Sequence, residues 1–168
     1  MKLTMYAMST EVLANALTNL SQVLEKGLAF ATQKKIDPAV LLNSRLAPDM
    51  FPLTRQVQVA CDIAKNSVAR LAGQEPKRFE DNETSFEQLR ARIGACIDYM
   101  KSIPASALEG AETRDITIPA GQGRTHQFKG LEMLQTWALP HVFFHVTTAY
   151  AILRHNGVDI GKRDFIGR

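Results

Sequence analysis

The stretch Leu139-Pro-His-Val-Phe-Phe-His-Val-Thr-Thr-Ala-Tyr-Ala-Ile-Leu-Arg154 decides how the rest of the chain is read. It lies in a longer run, 133–153, in which no residue carries a full charge at neutral pH when histidine is counted as neutral. A helix with no charged face is expected to be surrounded by protein on all sides. Within it His141 and His145 are four apart, so they project from one face, a turn from each other. The run is about as long as a membrane span. It also contains Gln135, Thr136, Pro140, both histidines, Thr147 and Thr148, too many polar groups for a lone span. The expectation is a buried helix of a soluble protein, with no membrane partner.

Outward from this helix the chain reads as further helices. Leu13, Leu17, Leu20, Leu24, Leu28 and Ala31 recur at spacings of three and four. That predicts a first long helix over about 9–33, capped by Ser9 or Thr10. Asp37-Pro38 is a cap and first-turn pair and predicts a short helix over 38–43. A second long helix starts near Pro52, turns Val57, Ala60, Cys61, Ala64, Val68 and Leu71 inward, and stops at Gly73. Thr84-Ser-Phe-Glu87 has capping-box spacing and opens a third, with Phe86, Leu89, Ile93, Cys96, Ile97 and Met100 facing in and Pro104 at its end. Asp115-Ile-Thr-Ile-Pro119 and Arg124-Thr-His-Gln-Phe128 flank Ala120-Gly-Gln-Gly123 and predict a small β-hairpin. The Gly-Gln-Gly turn lacks the lysine and the strand-loop-helix context of a phosphate loop. Pro140 should kink or restart the last helical region, which stops at Asn156-Gly157. The tail 158–168 is expected to fold back as an ordered strap.

Four long helices, three amphipathic and one buried, predict an all-α four-helix bundle with the hairpin inserted before the last helix. The last helix is expected in the middle, and the whole chain, 1–168, as one domain. An apolar content of 45% is enough for a sizeable core, and 22% charged residues argues against a disordered chain. With a net charge of +3 and scattered Lys and Arg, no nucleic-acid partner is indicated. Cys61 and Cys96 sit among apolar residues and read as core thiols, which suits a reducing, cytoplasmic location. The N-terminus has no apolar run of signal-peptide length.

Two neutral imidazoles at i and i+4 can chelate one divalent metal, and a catalytic site needs a third protein ligand. His126, Asp49, Glu132 and Asp62 are the candidates, and none is forced by spacing. His155 lies nearly a quarter-turn off the face of His145. The plainer alternative is two histidines hydrogen-bonded within the bundle. Asp62 lies beside the stripe of the second helix and Arg92 beside that of the third, and a buried or half-buried ion pair between them would be a structural device.

Leu46-Ala-Pro-Asp-Met-Phe-Pro-Leu53, Arg55-Gln56-Val57, Ala69-Arg-Leu-Ala-Gly73, Phe144-His-Val-Thr-Thr-Ala-Tyr-Ala-Ile-Leu-Arg-His-Asn-Gly157 and Gly161-Lys-Arg-Asp-Phe-Ile-Gly167 resemble a bacterial family, the domain of unknown function numbered nineteen-ninety-three. Behind it stands the DinB/YfiT-like superfamily. The resemblance covers nearly the whole chain. It implies an up-down-down-up bundle, commonly dimeric, often with three histidines holding a divalent metal. Some relatives are thiol-dependent transferases or hydrolases using bacillithiol, mycothiol or glutathione. Carried over, the two last-helix histidines fall on His141 and His145, while the helix-two histidine has no counterpart, since no histidine precedes Gly123. The resemblance therefore implies a degenerate metal site or an altered polar pocket.

Three functional expectations result. One is a homodimer with a small-molecule pocket beside the last helix, formed by Asp49, Gln56, His145 and Tyr150. The second is a zinc or nickel enzyme acting by thiol transfer or hydrolysis, with His141 and His145 as ligands. The third is a structural dimerisation module. Whether the chain is an enzyme stays open.

Overall fold

Helical structure starts before the expected cap. In this computed structural model, which describes residues 3–168, Thr4 Oγ1 accepts from Ala7 N at 3.1 Å. Met1 and Lys2, the first residues of the expected domain, lie outside the described span. The chain then passes through a π-helical turn, Ala7–Glu11, into α1, Val12–Lys34. Ser9 and Thr10 are buried inside that wide turn and cap nothing: Ser9 Oγ donates to Met5 O at 2.6 Å. A hydroxyl that bonds back to its own helix is lost as a cap.

Helix α2, Pro38–Leu42, starts where Asp37 Oδ1 accepts from Ala39 N at 2.9 Å. Helix α3, Leu53–Leu71, buries all six residues of its predicted stripe. It stops at Gly73, whose φ of +70 suits a residue without a Cβ, and Gln74 N closes the end on Ala69 O at 2.9 Å. Helix α4, Phe86–Ser102, is capped one residue later than expected. Ser85, in extended conformation, accepts from Gln88 N at 3.2 Å, while Thr84 N donates back to Gln88 Oε1 at 2.6 Å.

Strands β1, Asp115–Pro119, and β2, Thr125–Lys129, pair antiparallel with Ile118 opposite His126 and Ile116 opposite Phe128. Ile116 and Ile118 face the core. Helix α5, Gly130–Glu132, a π-helical stretch Met133–Ala138 and α6, Leu139–His155, follow as one continuous helical run. Pro140 does not break it. Proline offers no N–H, so the turn before it widens instead, and Leu139 N donates five residues back to Leu134 O.

Contacts between helices fix their directions. Glu25 of α1 meets Arg90 of α4 at 3.1 Å, and Gly27 lies against both Phe86 and Leu153. Farther along, Phe30 meets Gly157. Helix α1 therefore runs antiparallel to α4 and parallel to α6. Gln56 meets His145, and Leu71 meets Gly130, so α3 is antiparallel to α6. The loop 72–85 runs back along the bundle: Lys77 N donates to Tyr99 Oη at 3.3 Å, Gln58 Nε2 to Glu83 Oε2 at 2.8 Å, and Arg55 pairs with Asp81. Helix α4 consequently starts beside the start of α3 and runs parallel to it. The bundle is up-down-down-up.

Two expectations about the last helix change. It occupies a corner between α1 and α3 rather than the middle, and it is not surrounded by protein. Pro140, Phe143, Phe144 and Thr147 are exposed and share one face, with Phe144 at 55%. Missing charge marked an uncovered apolar strip as well as burial. The tail is the expected strap. Val158 and Ile160 are buried, and α7, Lys162–Ile166, is tied to α1 by Asn19 Nδ2 donating to Phe165 O at 3.2 Å and by Lys26–Asp164 at 2.5 Å. Among the described residues no helix is long and apolar enough to cross a membrane.

Candidate functional site

Helix α3 presents Gln56, and α6 presents His145, from facing sides of their shared groove; both are buried. Gln56 Nε2 donates to Phe51 O at 3.0 Å, which fixes the amide so that its oxygen faces α6. Gln56 Oε1 then accepts from His145 Nδ1 at 2.7 Å. That bond places the imidazole proton on Nδ1 and leaves Nε2 as the lone-pair nitrogen. Nε2 makes no hydrogen bond among the described residues. Burial pushes the pKa of His145 down to about 4, helped by the nearby His141 and Arg55. At neutral pH the ring is uncharged. The Phe144 ring stands edge-on to it at 5.2 Å, and Phe51, whose carbonyl anchors Gln56, has an exposed side chain.

His141 lies one turn away, half-buried, and burial lowers its pKa too. Its Nδ1 is buried without a partner. Trp137 stands edge-on to it at 4.4 Å, and His126 of the hairpin also packs against Trp137, at 4.9 Å. The π-turns before Pro140 belong to the segment that carries this tryptophan.

The remaining predicted residues go elsewhere. Asp49 is exposed in the connection before α3, where Arg45 Nη1 donates to Pro48 O at 3.4 Å and to Met50 O at 3.1 Å. Tyr150 faces the tail: its hydroxyl donates to Ile160 O at 3.5 Å and its ring meets Phe165 at 5.9 Å. Of the four proposed pocket residues, only Gln56 and His145 come together. Glu132 accepts from Lys129 N at 3.3 Å at the start of α5, and Asp62 is bound by Lys65 at 3.1 Å and Arg92 at 3.0 Å. The interhelical Asp62–Arg92 pair is present. Cys61 and Cys96 are buried free thiols, Cys96 Sγ donating to Cys61 O at 3.3 Å.

A three-ligand catalytic metal does not fit these donors. Among the described residues no three His, Cys, Asp or Glu side chains converge, and α3 offers the pair an amide already committed to Nδ1 of His145. A neutral carboxamide oxygen is a poor replacement for imidazole around zinc or nickel. What the arrangement can do is accept one hydrogen bond at Nε2, beside phenylalanine. Sequence reasoning missed Trp137, which contacts both His141 and His126, and the Phe51 carbonyl. The four-residue spacing of Trp137, His141 and His145 was the available signal for the first.

The match to the family described as Domain of unknown function (DUF1993) spans residues 5–166. A crystal structure of a DinB family member protein from Shewanella denitrificans is 44% identical, with 97% of this chain and 92% of that chain covered and a TM-score of 0.90. No curated protein matches the chain. The chain belongs to the DUF1993 family and has a DinB-like fold.

Proposed function

We propose that the His145–Gln56 pair is a metal-free binding site for a small, largely apolar molecule carrying one hydrogen-bond donor, such as a hydroxyl. The observation that carries this reading is the 2.7 Å bond from His145 Nδ1 to Gln56 Oε1. It holds the ring in one tautomer, with Nε2 as an acceptor that stays unprotonated at neutral pH. The exposed Phe144 ring, edge-on to His145 at 5.2 Å, supplies apolar surface beside it. The free thiols Cys61 and Cys96 support a reducing, cytoplasmic setting for this activity.

Two copies of the chain associate, in this reading, through the uncharged strip Pro140, Phe143, Phe144 and Thr147. Four exposed apolar or uncharged residues on one helix face are the kind of patch that protein contacts cover. Light scattering of wild type and of Phe143→Glu tests it: a dimer that the substitution dissociates supports the contact, and a wild-type monomer at high concentration removes it.

The ligand site is tested with phenol as probe, by following histidine ring nitrogens in NMR. Saturable movement of the His145 Nε2 signal, with binding lost in His145→Phe, is the expected result. Phenol binding that is unchanged in His145→Phe, or an unmoved Nε2 signal at saturating phenol, would overturn it.

A further inference from the structure

Far from the histidine pair in sequence, the outer side of α3 and the loop 75–81 enclose a cleft of 570 Å³. Its charges sort into two sets. Asp62 and Asp81 are neutralised from within the protein by Arg92, Lys65 and Arg55. Arg70, Lys77 and Arg78 form no ion pair among the described residues, and neither do the acids Glu75 and Glu80. The unneutralised balance is one positive charge, three cations against two acids.

Arg70 is the unusual member. Its side chain is half-buried on α3, yet its guanidinium donates to no acceptor among the described residues. Burial lowers its pKa, and Glu75 opposes the shift without making an ion pair. Its nitrogens are not among the buried atoms without partners, so the fork is open to solvent and free to take an acceptor from a ligand. One turn earlier on the same face stands Asn66. Its Oδ1 accepts from Lys65 Nζ at 2.8 Å, which turns the amide nitrogen, a donor, away from Lys65. Across the cleft the Lys77 ammonium rides over the Phe79 ring at 5.9 Å. The far wall is held rigid: Lys77 N bonds Tyr99 Oη, and Glu80 O accepts from Arg92 Nη1 at 2.7 Å. The backbone that carries Lys77 is therefore held before any ligand binds.

We propose that this cleft is a binding site for a small anion bearing a carboxylate or phosphate group, held by Arg70 and Asn66 of α3 and by Lys77 across from them. Arg70 supplies the planar fork that matches either group, Lys77 a point charge and Asn66 a neutral donor.

Calorimetric titration with inorganic phosphate and, separately, with succinate, each against chloride of equal ionic strength, tests the proposal and distinguishes the two anion classes. Saturable binding of at least one is expected, with affinity falling about tenfold or more in Arg70→Gln, in line with loss of a charged hydrogen bond, and falling also in Lys77→Gln. Circular dichroism confirms that each variant folds, and Lys77→Gln, on an exposed loop, stands in should Arg70→Gln unfold. His145→Ala should bind the anion as wild type does, which keeps this site separate from the histidine pair. No binding of either anion beyond chloride, or affinities unchanged in both charge variants, overturns the proposal.

Discussion

His145 donates its Nδ1 proton to Gln56 across 2.7 Å, so the α3 side chain that faces the histidine pair is a hydrogen-bond acceptor and not a third metal ligand. A second bond, from Gln56 Nε2 to Phe51 O, fixes which way the amide points. Backbone, amide and imidazole thus form a relay that ends at an unprotonated Nε2. Such relays also orient metal-bound histidines in other proteins. Here the donor count stops short of a metal.

Gln56→Leu should break the relay in a readable way. It leaves the His145 Nδ1 proton and the Phe51 carbonyl without partners, at a cost of about 1–3 kcal/mol. Urea unfolding at neutral pH measures the loss, and histidine nitrogen NMR should show that His145 no longer holds the Nδ1–H tautomer alone. An unaltered tautomer in this variant would remove Gln56 as its cause.

Acid should destabilise the fold through His145. Its folded pKa, about 4, lies below the ordinary value of 6.5, so between those limits the unfolded chain binds more protons. Stability is complete above about pH 6.5 and falls as the pH drops towards 4, with a slope on the order of 1 kcal/mol per pH unit. Half-buried His141 contributes in the same direction. Denaturant unfolding at several pH values checks the slope, and His145→Gln should flatten much of it.

Arg92 of α4 ties the return loop to α3. Its side chain is 2% exposed and binds Asp62 at 3.0 Å, Asp81 at 2.8 Å, Glu83 at 2.9 Å and the carbonyl of Glu80. Arg92→Met leaves the Glu83 carboxylate, 9% exposed, without a cation, while Asp62 keeps Lys65 and Asp81 keeps Arg55. It should cost about 3–5 kcal/mol, as breaking one side of a buried ion pair does. Hydrogen exchange should speed up over 77–85 before it does elsewhere. Uniform acceleration through α1 and α6 would mean that the loop was never held by Arg92.

Glycines separate two kinds of close approach. A Cβ at Gly130 would run into the Ala111 carbonyl, backbone that cannot step aside, so Gly130→Ala should lose more than about 2 kcal/mol. At Gly27 the added methyl meets Leu153 and Phe86 side-chain carbons at 3.0–3.2 Å, which can shift. The gain in helix propensity, about 1 kcal/mol, offsets the crowding, so Gly27→Ala should be near neutral. Thermal melts of the two variants give the contrast.

Periodicity and caps carried most of the fold because both are local. The α3 stripe, the Asp37 cap, the Gly73 and Gly157 stops and the hairpin could be read from neighbours in sequence. Errors arose where the decisive contact was distant or ambiguous. Ser9 looked like a cap because nothing nearby in sequence says that its hydroxyl bonds back to Met5. Pro140 looked like a break because a π-turn that absorbs it leaves no mark in composition. Lack of charge in the final helix describes an exposed apolar strip as well as a central helix, and the structure has the former. For the site, His141 and His145 could be paired by spacing alone. That Gln56 would join His145 while Tyr150 turned towards the tail depends on how α3, α6 and α7 sit around the bundle. Spacing within one helix holds no information about that.

Metal content tests the central claim most directly. Protein produced without a metal-affinity tag, equilibrated with zinc and nickel near neutral pH and then desalted, is analysed by mass spectrometry for bound metal. Zinc and nickel well below one equivalent per chain, unchanged in His145→Ala, is the predicted result. One equivalent of either metal, retained through desalting and lost in His145→Ala, would contradict it.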